Sequence, residues 1–289
     1  MEMHQKLLVF TDLDGSLLDH YSYSFAAAQS MLELLELHAI PVIPVTSKTC
    51  AELLSLREDL NNHHPFIVEN GAAVFIPTDY FQTLPAGCKQ INGFNCFQFS
   101  KPRAAWQSLL KEYASEFSEE FVTFEQAGVK GIIEMTGLDQ ASATLANDRD
   151  FSEPLRWLGS EERKHIFIRQ LEERGATVLQ GGRFLHITGG CDKGKALRWL
   201  TEQYQRENQQ SKFTTLAAGD SHNDVAMLEA SDLAVLINSP VHQPPAIQHA
   251  QILKTDAYGP QGWSDAIKQL SIPFLKQPND STKPLDGDE

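Results

Sequence analysis

The way the first apolar run ends constrains this chain more than any other feature. Residues 6–16 read KLLVFTDLDGS, a short stretch of β-formers that breaks directly into two carboxylates and a glycine. That is how a buried strand ends at a chemically active loop. Two carboxylates two positions apart point to the same side if the strand geometry persists. Residues 214–224, TTLAAGDSHND, repeat the pattern: an apolar run, then Gly219, Asp220 and the start of a helix.

Between and around these runs the periodicity alternates. SFAAAQSMLELLELHAI carries helical spacing, IPVIPVTS is a second apolar run, CAELLSLREDLNN reads as a helix, and PFIVENGAAVFIP as strands around a turn at Asn70-Gly71. KGKALRWLTEQYQRE, TTLAAGD, HNDVAMLEAS, LAVLIN and AQILKT continue as helix, strand, helix, strand and strand. Such alternation is the mark of right-handed β-α-β units and a parallel sheet. Across residues 86–188 the texture changes. FNCFQF, FVTFEQA, GIIEMTG, HIFIRQ and FLHITGG read as short strands, and PRAAWQSLLKEYASEF and DQASATLANDRDF as helices. The expected fold is α/β: a Rossmann-like core in two parts, 1–85 and 189–275, an inserted α+β domain at 86–188, and an unstructured tail at 276–289.

Composition narrows the function. The 289 residues are 42% hydrophobic and 21% charged, a profile of folded, water-soluble chains. No apolar run approaches the roughly 20 residues needed to span a bilayer, and the first run meets Asp12 too soon for a signal peptide, so a cytoplasmic location is expected. The formal charge of −14 argues against nucleic acid as a partner. Four scattered cysteines offer neither a disulfide framework nor a zinc site. No hydrophobic stripe marks an oligomer interface.

Four elements carry potential chemistry. Asp12, Asp14, Gly15 and Ser16 form the first, although a D-x-D-G string arises by chance in about one chain in fifteen of this length. Asp220, Asn223 and Asp224 form the second, where Asp220 or Ser221 could equally cap a helix. Two acidic loops at equivalent strand ends together suit a hard cation, Mg²⁺. Thr46, Ser47 and Lys48 lie at the end of another run, where a hydroxyl and an ammonium can hold a phosphate. Lys193 precedes a helix where the core resumes. A lone lysine is usually solvated, and its interest comes from that position.

In this order the four elements resemble the motifs of the haloacid dehalogenase superfamily, over nearly the whole chain. Aspartate at both Asp12 and Asp14 resembles its phosphatases, and Ser16 stands where threonine is commoner. Within the superfamily, PVTSKT with FIVENGA, DRDFSEP, GGRFLHITGG with DKGKA, GDSHND and GPQGW are similar to the mannosyl-3-phosphoglycerate phosphatases. The sugar-phosphate branch usually has T-G-R where this chain has Thr46-Ser47-Lys48, and the insert resembles a C2-type cap.

The resemblance implies roles. Asp12 attacks phosphorus, and Asp14 acts as general acid and then base. Mg²⁺ is held by the Asp12 and Asp220 side chains and the Asp14 carbonyl. Thr46, Lys193 and the N–H groups near Gly15 and Ser16 stabilise the phosphate oxygens, and Asn223 and Asp224 support the metal or Lys193. Ser47, Lys48, Glu69, Asn70, Arg183 and His186 are candidates to bind a small phosphorylated sugar acid. The expected reaction is hydrolysis of mannosyl-3-phosphoglycerate to mannosylglycerate and phosphate. The alternatives are a phosphatase of glucosyl-3-phosphoglycerate or another sugar phosphate, a mutase, and a non-catalytic binding protein of the same fold.

Overall fold

In the computed structural model, residues 4–83, 85–181, 183–241 and 243–275 are described. The expected 276–289 tail lies outside them. A five-stranded parallel sheet forms the centre, in the order β13 (Ile252–Tyr258), β12 (Leu233–Asn238), β11 (Ser211–Gly219), β1 (His4–Thr11), β2 (Val42–Pro44). β1 sits inside the sheet with both faces covered, and Leu8, Val9 and Phe10 are wholly buried. This explains why the run at 6–11 is continuous rather than alternating. Helices α1 (Gln29–Leu37), α2 (Cys50–Asp59), α7 (Lys193–Glu207), α8 (Val225–Ala230) and α9 (Gly259–Leu275) connect and cover these strands. Thr49 opens α2 with a reciprocal cap: its hydroxyl accepts from the Glu52 N–H while the Glu52 carboxylate accepts from the Thr49 N–H.

A single parallel bridge, Val45 to Ile67, joins this sheet to an antiparallel one ordered β3 (Phe66–Val68), β4 (Ala73–Pro77), β6 (Phe94–Gln98), β5 (Lys89–Ile91). The expected start of the insert at residue 86 is therefore not where the pairing changes, because β5 and β6 extend the core side. The third sheet is antiparallel, β7 (Phe121–Thr123), β8 (Glu153–Trp157), β10 (Phe184–Thr188), β9 (Thr177–Gly181). Helices α3 (Arg103–Tyr113) and α6 (Glu161–Glu173) build its core around Trp106, Phe117 and Phe167. Helices α4 (Phe124–Thr136) and α5 (Gln140–Asn147) form a smaller cluster with Phe184.

Two segments read as strands are helical. GIIEMTG lies mainly in α4 and HIFIRQ in α6. Each helix carries an N-terminal cap that short apolar runs conceal. The Thr123 hydroxyl accepts from the Gln126 N–H, and the Ser160 hydroxyl from the Arg163 N–H. No described helix is long and apolar enough to cross a membrane.

Candidate active site

The carboxyl ends of β1 and β11 lie side by side, with Ala218 opposite Thr11. In open α/β sheets this edge is where ligands bind. It brings Asp12 next to Asp220, and α7 supplies Lys193 from its first turn, where Asp192 caps the helix by accepting from the Lys195 N–H. The Lys193 ammonium is completely buried and lies 2.6 Å from both Asp12 Oδ1 and Asp224 Oδ1. Burial works against that charge, but Asp12 and Asp224 outweigh it and hold the lysine pKa above its ordinary range. The other Asp224 oxygen accepts from the backbone N–H groups of Asp220 and Ser221. Asp224 is thus spent on positioning Lys193 and the Asp220 loop.

Asp12, Asp220 and Asp224 bring carboxylate oxygens within 4.8 Å of one another around a single ammonium, which leaves a surplus of negative charge. Burial first, then Asp224, pushes Asp12 well above the usual carboxylate range, and the same two causes push Asp220 up to about 7. A cation beside them relieves both penalties. Asp220 Oδ2 is buried without a hydrogen-bond partner among the described residues, and Gly15 leaves the space next to it. With φ of +83°, Gly15 would place a Cβ only 2.6 Å from that oxygen. The donor set is oxygen only and fits a hard divalent ion such as Mg²⁺.

Asp14 pairs with Lys48 at 2.8 Å, while its Oδ1 is buried and unpartnered. Thr46 is fully buried, and its hydroxyl accepts from the Lys48 N–H. Ser47 offers its carbonyl to Arg149 Nη2 at 2.6 Å. Asn70 accepts from the Asn223 side chain at 3.0 Å, and its own Nδ2 is buried without a partner. Ser16 is buried with an unpartnered hydroxyl. Of the nine buried side-chain atoms without partners among the described residues, five belong to Asp14, Ser16, Asn70, His186 and Asp220. Buried polar groups are rarely left so, and their concentration here marks a place where something else binds.

A cavity of about 280 Å³ opens between this edge and the inserted segment. Asp12, Asp14, Ser47, Lys48, Asp220 and Asn223 line it from the core, and Arg149, Arg183, Phe184 and His186 from the other side. Arg183 is exposed and donates to the Thr136 carbonyl at 3.3 Å. His186 is buried, and burial with the charges of Arg149 and Lys193 lowers its pKa to about 3, so its ring is neutral at ordinary pH.

Glu69 does not reach this cavity. Its carboxylate accepts from the Asp150 and Phe151 N–H groups and the Ser152 hydroxyl, and it pairs with Arg149 at 3.4 Å. Expected to touch substrate, it instead ties the core to the loop before β8. Arg149, present in the sequence only as part of DRDFSEP, sits on that tie and also faces the cavity. A second unforeseen link uses GPQGW: buried Trp263 donates to the Thr11 hydroxyl at 2.9 Å, and Thr11 donates to the Asp12 carbonyl at 2.7 Å.

Residues 9–252 match the haloacid dehalogenase-like hydrolase family. The chain belongs to it. A glucosyl-3-phosphoglycerate/mannosyl-3-phosphoglycerate phosphatase of Methanococcoides burtonii is 38% identical over 92% of this chain and 97% of its own length. One of the same name from Persephonella marina is 33% identical over 91% and 97%. A crystal structure from Thermoplasma acidophilum superimposes with a TM-score of 0.65, covering 93% of this chain and all of that one at 18% identity. That likeness shows the fold.

Proposed function

We propose that this hydrolase is a magnesium-dependent phosphatase of mannosyl-3-phosphoglycerate, releasing mannosylglycerate and phosphate. The observation that carries the reading is the buried Asp12–Lys193–Asp224 centre beside an unpartnered Asp220 oxygen, at the floor of a cavity with a cationic residue, Arg183, on its far wall. The names of both relatives favour the same substrate and extend the reading to the glucosyl analogue.

Asp12 is placed to attack phosphorus and form an aspartyl-phosphate, dividing the hydrolysis into two steps. Asp14 protonates the departing oxygen, then takes a proton from the water that cleaves the intermediate. Asp12, Asp220 and the Asp14 carbonyl would hold Mg²⁺, which when bound would supply positive charge between the anionic nucleophile and the phosphate. Lys193 holds Asp12 in place and adds charge at the phosphate oxygens. Thr46, Ser16 and the backbone at Gly15 are assigned to the same oxygens. Arg183 receives the glycerate carboxylate, and neutral His186, whose Nδ1 is buried without a partner, meets a sugar hydroxyl.

The test is phosphate release with Mg²⁺ from the mannosyl and glucosyl esters, free 3-phosphoglycerate and simple hexose phosphates, with Asp12→Asn and a chelator as controls. Release from the two glycosyl esters that disappears in both controls supports the reading. Release mainly from hexose phosphates keeps the chemistry and discards the substrate, and release unaffected by Asp12→Asn refutes the mechanism.

A further inference from the structure

The loop after the nucleophile's strand is built to hold one aromatic ring at the cavity mouth. Asp19 organises it: one carboxylate oxygen accepts from the N–H groups of Tyr21 and Ser22 and from the Ser22 hydroxyl, and the Asp19 N–H donates to the Ser24 carbonyl. Tyr23 closes the turn by donating its N–H to the Asp19 carbonyl, with φ at +56°. A bulky residue in that conformation is strained where glycine or asparagine would not be. The strain earns no burial, since Tyr23 is 50% exposed. Its ring faces the Lys48 ammonium, 5.3 Å from the centroid, and lines the same cavity as Asp14. Phe184 and Phe124, in edge contact at 5.1 Å, line that cavity from the other side.

A strained, half-exposed aromatic at the mouth of a polar site has a ligand-facing purpose more readily than a structural one. We propose that Tyr23 is a specificity residue of the core, whose ring takes the C–H face of the substrate's sugar while the phosphate lies at Asp12. The proposal rests on the phosphatase reading and adds a contact that the inserted segment does not supply. A ring selects by shape and apolar contact, so phenylalanine replaces tyrosine and a small residue does not.

The experiment measures kcat/KM for the mannosyl ester and for 3-phosphoglycerate, which has the same phosphate and carboxylate but no sugar. In Tyr23→Ala the ratio of the two falls about ten-fold, through KM of the sugar ester. Tyr23→Phe restores the ratio. Tyr23→Gly lowers it equally while raising Tm, because the turn then loses its strain. If Tyr23→Ala leaves the ratio at the wild-type value, or Tyr23→Phe fails to restore it, the sugar contact is wrong although the phosphatase stands. If Tyr23→Gly lowers Tm, the tyrosine serves the fold and the proposal is overturned. Should the wild type release phosphate from neither ester, the phosphatase reading falls first and this inference falls with it.

Discussion

The floor and the far wall of the cavity are built on opposite terms. On the floor, Lys193 has no exposure and both of its carboxylate partners lie at 2.6 Å. Charge there meets charge inside the protein, with geometry held by a helix start and two strand ends. On the wall, Arg183 is exposed and donates to the Thr136 carbonyl, and His186 is neutral with a nitrogen that has no partner among the described residues. Paired charges on the floor, with the unpartnered oxygens of Asp14 and Asp220 beside them, suit chemistry common to many esters, whereas Arg183 and His186 on the wall suit recognition of one.

The comparison breaks most directly at Asp12. Asp12→Asn should cost roughly 10⁴-fold in kcat with KM little changed, read by steady-state phosphate release. Lys193→Met comes next. It leaves Asp12 and Asp224 as buried unpaired charges, so unfolding stability should drop by about 3–5 kcal/mol in a denaturant titration, together with activity. Arg183→Gln should act on the other side alone, raising KM for the sugar acid by about ten- to a hundred-fold with kcat kept, since it removes a charged hydrogen bond. Equal losses in kcat and KM at Arg183 would erase the distinction between floor and wall.

The last test concerns pH. His186 titrates at an ordinary 6.5 when unfolded and at about 3 when folded, so the unfolded chain binds more protons between those values. Its contribution to stability is full above pH 6.5 and is lost as pH falls toward 3. Tm of the wild type should therefore drop more steeply across that window than Tm of His186→Gln. Parallel curves would mean that the ring is protonated in the folded protein.

Much of the floor was legible in the sequence because it stands at strand ends, where apolar runs advertise themselves and carboxylates follow at once. Asp12, Asp14, Asp220 and Lys193 could be named from that pattern, and the structure brings their side chains to one edge. Glu69 could not be read, because its partners at 149–152 lie about eighty positions away in the loop before β8 and local spacing carries no trace of them. Tyr23 was hidden for another reason: positive φ is a property of the loop Asp19 builds, not of the residue. The helices α4 and α6 were missed through their β-branched and aromatic runs, although T-F-E-Q at Thr123 is a capping box. Short apolar segments look alike until their caps are weighed.

The junction of β1 with β11 has a consequence in time. Asp12 and Lys193 are 181 positions apart, and Trp263, which steadies the Asp12 carbonyl through Thr11, comes later still. At roughly 5–20 residues per second on the ribosome, Asp12 waits on the order of ten seconds or more for its lysine. During that wait the nascent β1 is an apolar strand with no neighbour on its β11 side, a natural client for chaperones. The same delay keeps an unfinished chain from assembling the Asp12–Lys193 pair: the site is complete only when synthesis is nearly over.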